Sequence, residues 1–75
     1  MLLSLADPGE VVHLAETRLL SRHLSHVSCD YRDGTLYLRG HSRSYYDKQM
    51  AQELVRRVEG VAAVVNEIEV GSGAG

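Results

Sequence analysis

The chain has a single cysteine, Cys29, among its 75 residues, which excludes an internal disulfide. A small scaffold tied together by disulfides is therefore ruled out, and the fold must be held by packing. No apolar run approaches the roughly 20 residues that a helix needs to cross a bilayer, so we expect no membrane-spanning helix. The opening residues lack the basic start and the long apolar stretch of a signal peptide, which leaves the compartment open.

Patterns that carry chemistry are also sparse. Gly34, Gly40 and Gly60 are too dispersed to form a phosphate-binding loop. No Ser-His-Asp set is fixed by neighbouring elements, and Cys29 falls on the apolar side of a predicted strand, where a thiol behaves as a small buried hydrophobe. A chain of this length buries only about 60% of its unfolded surface, which leaves little room for an enclosed active site. We therefore expect a protein that is not an enzyme and that holds no cofactor.

One string of possible metal ligands runs His23-x-x-His26-x-x-Cys29, followed by Asp30, and His41 could complete four ligands for zinc. The spacing is loose for such a site. The helix dipole alone favours His23 at a helix C-terminus, and the inward position of Cys29 has a packing explanation. We therefore predict no metal site.

The charges are unevenly spread along the chain. The net charge is −2, yet all eight Lys and Arg residues lie between residues 18 and 57, together with only four of the ten acids. Histidines in the same region add positive charge under mildly acidic conditions. This basic middle is either solvated surface on two helices and a hairpin or a surface that faces an anion.

A first helix is predicted to start at residues 7–10, which read D-P-G-E. Asp7 is placed to cap it, with Pro at the first helical position and Glu10 completing a capping box. The helix should end near residue 22 or 23. Its predicted apolar stripe consists of Val12, Ala15 and Leu19, flanked by Val11 and Leu20.

Three strands and a second helix follow. Two alternating segments joined by Asp33-Gly34 predict a β-hairpin over about residues 27–40. After the short polar connection H-S-R, Ser44 and Asp47 offer a second capping box, for a helix that Gly60 closes. The apolar stripe of this helix is Met50, Ala51, Leu54, Val55 and Val58. Residues 63–70 alternate as a third strand, and 71–75 are typical of a flexible Gly/Ser tail.

The predicted order is αββαβ. A right-handed crossover through the second helix makes the third strand parallel to the second, so the sheet is mixed. The expected fold class is α+β, a two-layer sandwich with both helices on one face of a three-stranded sheet. The face toward the helices is predicted to carry Val27, Cys29, Tyr31, Leu36, Leu38, Val64, Ile68 and Val70. Residues 1–6 form a lead and residues 7–70 the domain.

Two motifs stand out: G-T-L-Y-L-R-G at residues 34–40 and, after a helix, G-V-A-A-V-V-N-E-I-E-V at residues 60–70. Together they resemble the BON domain of bacterial envelope proteins. The family's patterns are G-x-V-x-L-x-G and G-V-x-x-V-x-N-x-I-x-V, and Leu36 stands where valine is usual. The resemblance covers roughly residues 10 to 70. Each matching position has a packing or turn role, so the motifs specify a fold and no functional residues.

The resemblance implies a non-enzymatic binding module of the bacterial cell envelope, located in the periplasm and found in osmotic-stress proteins among others. Phospholipid, or another envelope component, is the implied partner. A cytoplasmic location is the alternative, because the chain shows no signal peptide.

The residues themselves favour an anionic phospholipid surface that meets the start of the second helix. The candidate lipid- or anion-binding residues are Arg39, His41, Arg43, Tyr45, Tyr46 and Lys48. Tyrosine suits the headgroup region, arginine pairs bidentately with phosphate, and a helix N-terminus presents N–H groups to an anion. Asp47 and the net negative charge oppose this interpretation. Alternatively, Tyr46 packs against the core and Arg43 is simply solvated.

The sequence also bears on two other classes of partner, nucleic acid and protein. Tyr37, Arg32 and Arg39 share the open face of the sheet as a nucleic-acid surface would require, but Glu67 and Glu69 lie on that face too, so we expect no nucleic acid. Protein–protein docking or oligomerisation within a larger multidomain protein is the main alternative, since the first and third strands could both be sheet edges. A monomer or weak homo-oligomer is expected.

Overall fold

A computed structural model of the chain describes residues 7–71. Its elements are α1 (Pro8–Leu20), β1 (Val27–Arg32), β2 (Thr35–Ser42), α2 (Tyr45–Arg56) and β3 (Ala63–Val70). The strands form one sheet in the order β1-β2-β3, in which β1 is antiparallel to β2 and β2 is parallel to β3. Both helices pack on one face of this sheet, which confirms the predicted α+β sandwich with its αββαβ order. The predicted lead at 1–6 and residues 72–75 of the predicted tail lie outside the described residues.

One apolar core lies between the helices and the sheet. The largest fully buried side chains in it are Leu19, Leu36, Leu38, Val55 and Ile68. They come from α1, β2, α2 and β3, so every layer of the fold contributes to the core. Full burial of such an aliphatic side chain contributes about 1.5–3 kcal/mol, which makes this cluster the main source of stability.

The first helix differs from its prediction at both ends. Asp7 adopts the extended backbone of an N-cap, but its side chain accepts no hydrogen bond from the helix, so the predicted side-chain cap is wrong. The helix ends at Leu20, and a Schellman closure follows, in which the amide of Leu24 donates to Leu19 and that of His23 to Leu20, both at 2.9 Å. His23 takes the left-handed conformation that this closure requires, with φ of 64°.

The buried stripe of α1 is Val11, Ala15 and Leu19. Val12 was predicted to belong to it but is only half-buried, and Leu20 is 58% exposed. Ala15 and Leu19 are buried as predicted, and Val11 takes the place predicted for Val12. The stripe therefore repeats every four residues.

The hairpin turn has the chemistry predicted for it, with positive φ at both Asp33 and Gly34. Strand β2 runs two residues beyond the prediction, because its parallel partner continues alongside: His41 pairs with Glu69 and Ser42 with Val70. Polar residues assigned to a connection are thus part of the sheet. Val70, predicted to face the helices, is 43% exposed at the end of this pairing.

The second helix begins as predicted, since the Ser44 hydroxyl accepts the amide of Asp47 at 3.1 Å. The helix ends at Arg56, and Gly60, with φ of 101°, lies in the turn that follows. Asn66 then ties α2 to β3. Its amide nitrogen donates to the Lys48 carbonyl at 2.9 Å and to the Gln52 side chain at 3.2 Å.

Gly40 holds the hairpin against the connection between α1 and β1. Its φ is 135°, and a Cβ placed there would stand 2.0 Å from the carbonyl oxygen of His26. The next amide, that of His41, donates to the same oxygen at 3.2 Å. This close approach sets residues 21–26 beside the end of β2, where a cleft opens.

Candidate anion-binding cleft

A cleft of about 600 Å³ lies where the α1–β1 connection, the end of β2 and the first turn of α2 meet. Five of its lining residues are of basic type: Arg22, His23, His26, His41 and Arg43. The lining includes one acid, Asp47. The cleft therefore favours an anion over a cation.

The α1–β1 connection supplies one wall. Leu24 is buried in the core and anchors the middle of this connection, while Arg22, His23 and His26 are exposed around it. The Schellman closure turns the chain at His23, and the contact with Gly40 fixes His26. Three basic side chains are thereby placed on one segment beside the end of β2.

The residues that join β2 to α2 form a second part of the lining. Ser42 is buried, and its hydroxyl donates to the carbonyl of Ser44 at 2.9 Å, while the Ser44 hydroxyl caps Asp47. These two bonds set the path of the loop, and Arg43 between them is exposed. The loop thus presents the Arg43 guanidinium at the cleft.

The structure divides the predicted lipid-binding residues into two groups. Arg39 and His41 project from the open face of the sheet next to acids on β3. Arg39 Nε lies 3.1 Å from Glu67 Oε1, and His41 Nε2 lies 3.6 Å from Glu69 Oε1. Such exposed pairs contribute little to stability, but the acids offset the positive potential of this face.

The second group is Arg43, Tyr45, Tyr46 and Lys48, which we name the α2-start surface. Among residues 7–71, neither Arg43 nor Lys48 takes part in an ion pair. Tyr45 is 63% exposed and Tyr46 is 68% exposed, so the interpretation that Tyr46 packs against the core is wrong. Lys48 is half-buried, one helical turn from Tyr45.

His41 and Arg43 are the predicted site residues that line the cleft, and the rest of the α2-start surface adjoins it on the same helix. Arg39 is not part of the lining. The involvement of these residues in binding stays a prediction.

Arg22, His23 and His26 were not among the anion-site residues predicted from the sequence. They lie about 20 residues away from Arg43 along the chain. The register of the predicted hairpin nevertheless indicates that these residues lie near Arg43. A turn at residues 33–34 pairs Val27 with Gly40, so the residues just before β1 must lie beside those just after position 40.

The histidines of the cleft also belonged to the string considered for zinc. Within residues 7–71, no group of three or more His, Cys, Asp or Glu side chains is placed to hold a metal ion. Cys29 is half-buried against the core. Burial, and then the charge of Glu16 on α1, raise the pKa of the Cys29 thiol to about 12, so very little of it is thiolate near neutral pH.

On the open face of the sheet, the side chains considered for nucleic acid contact one another. The Arg32 guanidinium lies 5.1 Å from the centre of the Tyr37 ring, and Asp30 approaches Arg32 to 3.6 Å. Stacking of a base on Tyr37 would have to displace this arginine. Neither helix in the described part of the chain has the length and apolar character needed to cross a membrane.

The model of the BON domain family matches residues 13–72, and the chain therefore belongs to the BON domain family. This confirms the resemblance drawn from the two motifs. Among proteins with curated descriptions, none matches the chain.

Two solved structures share the fold. One is of CdsD, a structural protein of the type III secretion system of Chlamydia trachomatis, with a TM-score of 0.78 and 15% identity over 85% of this chain and 32% of that one. The other is of the C-terminal domain of CdsD, with a TM-score of 0.75 and 15% identity over 85% of this chain and 33% of that one. The chain thus spans about a third of either structure, and at this identity the likeness concerns the fold alone.

Proposed function

We propose that this BON domain is a non-enzymatic module of the bacterial cell envelope that contacts anionic phospholipid headgroups through the α2-start surface. The observation that carries the proposal is that two exposed tyrosines adjoin the exposed Arg43 and the half-buried Lys48, and that neither base has an acidic partner within residues 7–71. Membership of the BON family supports an envelope module. The choice of ligand is supported by the phospholipid partner that the resemblance to this family implies.

The chemistry of these side chains suits a headgroup layer. A tyrosine inserts its ring among the glycerol and upper acyl groups while its hydroxyl stays in water, and Arg43 can pair two of its N–H groups with a phosphate. Each base near an anionic leaflet contributes on the order of 1 kcal/mol. The α2-start surface has two such bases, and the net charge of the chain is −2. Binding by one domain is therefore weak and sensitive to salt.

A matched pair of charge reversals tests the proposal. Arg43→Glu alters the α2-start surface, whereas Arg57→Glu makes the same change at the opposite end of α2, where Arg57 is also exposed and lies outside any ion pair within residues 7–71. Affinity for phosphatidylglycerol vesicles, measured by sedimentation, should fall about tenfold or more in Arg43→Glu, because one attraction of about 1 kcal/mol is replaced by a repulsion. It should change little in Arg57→Glu.

Vesicles of phosphatidylcholine serve as the control lipid and should bind neither protein. The proposal is rejected if wild-type protein that is folded, as judged by circular dichroism, does not bind phosphatidylglycerol vesicles. Equal losses in Arg43→Glu and Arg57→Glu would also reject it, since they would show that only net charge matters.

Docking to protein is the second candidate, and the sheet topology favours it. In the order β1-β2-β3, each outer strand has one edge that pairs with no other strand in the described part of the chain. The outer strand β3 is eight residues long and exposes Val65 and Val70, so a partner strand could pair with it. CdsD, which shares this fold, is a structural protein of a secretion system. Light scattering over a range of concentrations tests the self-association form of this candidate: a constant monomer mass would reject it, and a dimer would favour it over lipid.

A further inference from the structure

The cleft beside the α2-start surface has a lining and a shape that membrane contact alone does not explain. We propose that it binds a terminal phosphate group, that is, a phosphomonoester, with Arg22 from the α1–β1 connection and Arg43 from the β2–α2 loop both holding the phosphate. This inference deepens the proposed function by adding a headgroup pocket to the membrane-contacting end. It rests on that function only where the phosphate belongs to a lipid.

The charges around the cleft come from four segments. The α1–β1 connection contributes Arg22, His23 and His26, and the end of β2 contributes His41 with Arg43 just beyond. Opposing them are Asp47 on α2, and Glu69 on β3, which lies 3.6 Å from His41. Even with every imidazole neutral, the lining has two guanidinium groups against the one carboxylate of Asp47.

The number of phosphate oxygens distinguishes a monoester from a diester. A terminal phosphate has three free oxygens and up to two negative charges, so guanidinium groups on two sides can each take a pair of hydrogen bonds. A diester has two free oxygens and one charge, so it offers fewer acceptors and less charge to two guanidinium groups. Arg22 and Arg43, which line the cleft from two different segments of the chain, therefore match the monoester better.

The size of the cleft leaves room for more than the phosphate itself. Its volume of about 600 Å³ falls within the range of roughly 300–1,000 Å³ that small-molecule sites occupy. Ser25 and Gly71 add polar and backbone surface to the lining. A glycerol-sized group attached to the phosphate is accommodated, which fits both a free phosphorylated small molecule and the headgroup of phosphatidic acid.

Amide chemical shifts of the labelled domain provide the first arm of the test. Glycerol 3-phosphate should shift the amides of residues 22–26, 41–43 and 71, and glycerophosphoglycerol, a diester, should shift them less at the same concentration and ionic strength. Arg22→Gln should weaken binding of glycerol 3-phosphate about tenfold, because it removes a charged hydrogen-bonding pair. Arg18→Gln is the matched control, since Arg18 is exposed on α1 outside the cleft, and it should leave the affinity unchanged.

Vesicles provide the second arm and separate the lipid source from the free one. Phosphatidic acid vesicles should bind more tightly than phosphatidylglycerol vesicles of equal surface charge, and Arg22→Gln should reduce this difference. If soluble glycerol 3-phosphate binds in the cleft while neither vesicle does, the phosphate site stands and the membrane function is wrong. If both vesicles bind equally and glycerol 3-phosphate shifts no amide of the cleft, the membrane function stands and the phosphate site is wrong.

Discussion

Replacement of Gly40 by alanine should destabilise the domain more than any other Gly→Ala change in its sheet or hairpin turn. The φ of 135° disfavours any side chain, which costs on the order of 1–3 kcal/mol. In addition, the new Cβ would lie 2.0 Å from the carbonyl oxygen of His26, a backbone atom that can move only if β1 separates from β2. That movement would break the hydrogen bond from His41 to His26, which is worth about 1 kcal/mol.

The summed cost is roughly 2–4 kcal/mol. A domain of 75 residues has a total free energy of unfolding of roughly 4–11 kcal/mol, so Gly40→Ala should lose a large part of it. Urea unfolding followed by far-ultraviolet circular dichroism measures the loss. With a slope of about 1 kcal/mol per molar urea, the midpoint should fall by about 3 M, or the variant should be unfolded without urea.

Two further glycines separate the contributions of strain and clash. Gly34→Ala meets the strain of a φ of 82°, but its nearest neighbour is Ala62 Cβ at 3.6 Å, so it should lose only about 1–2 kcal/mol. Gly9→Ala, on the exposed surface of α1 with 4.0 Å to the nearest atom, should gain up to about 1 kcal/mol. Equal stability of Gly40→Ala and Gly34→Ala would show that the contact with the His26 carbonyl adds no cost.

Three other changes probe single contacts. Asn66→Ala should lose about 2 kcal/mol in urea unfolding, because it leaves α2 and β3 groups without partners, whereas Gln52→Ala, which removes one of those partners, should lose less. Tyr31→Phe removes a 2.6 Å hydrogen bond from the ring hydroxyl to the Gly60 carbonyl and should cost about 1 kcal/mol; an unchanged midpoint would show that water replaces the bond. Folding raises the pKa of Cys29 from 9.0 to about 12, so the unfolded chain loses this proton at lower pH than the folded one. The free energy of unfolding should therefore fall as the pH rises across that interval. Thermal melts should show a smaller decrease in stability over the same interval for Cys29→Ala.

Local signals predicted most of the fold. The Asp33-Gly34 turn, the Ser44 cap and the alternation of 63–70 each depend on a few adjacent residues, and the structure has a turn, a helix start and a strand at those places. The end of β2 could not be predicted in this way. His41 and Ser42 are polar, and they are strand residues because the parallel partner β3 runs beside them.

The candidate cleft was harder to predict than the fold because it depends on contacts between distant segments. Adjacent bases in the sequence suggested one continuous binding surface from residue 39 to 48. Alternation along β2 instead places Arg39 on the open face beside Glu67, while Arg43 lies past the strand end beside Arg22. The exposure of Tyr46 likewise follows from the position of the helix axis relative to the core, which no local pattern specifies.

The exposed tyrosines give the domain an intrinsic optical reporter. The chain has four tyrosines and no tryptophan, so its ultraviolet emission comes from tyrosine alone, and Tyr45 and Tyr46 are half of that signal. Both rings stand in water at the start of α2, whereas Tyr31 and Tyr37 are half-buried. A ligand that covers the α2-start surface should therefore shield about half of the fluorescence from an aqueous quencher such as acrylamide, and one that docks on a sheet edge should leave the quenching unchanged.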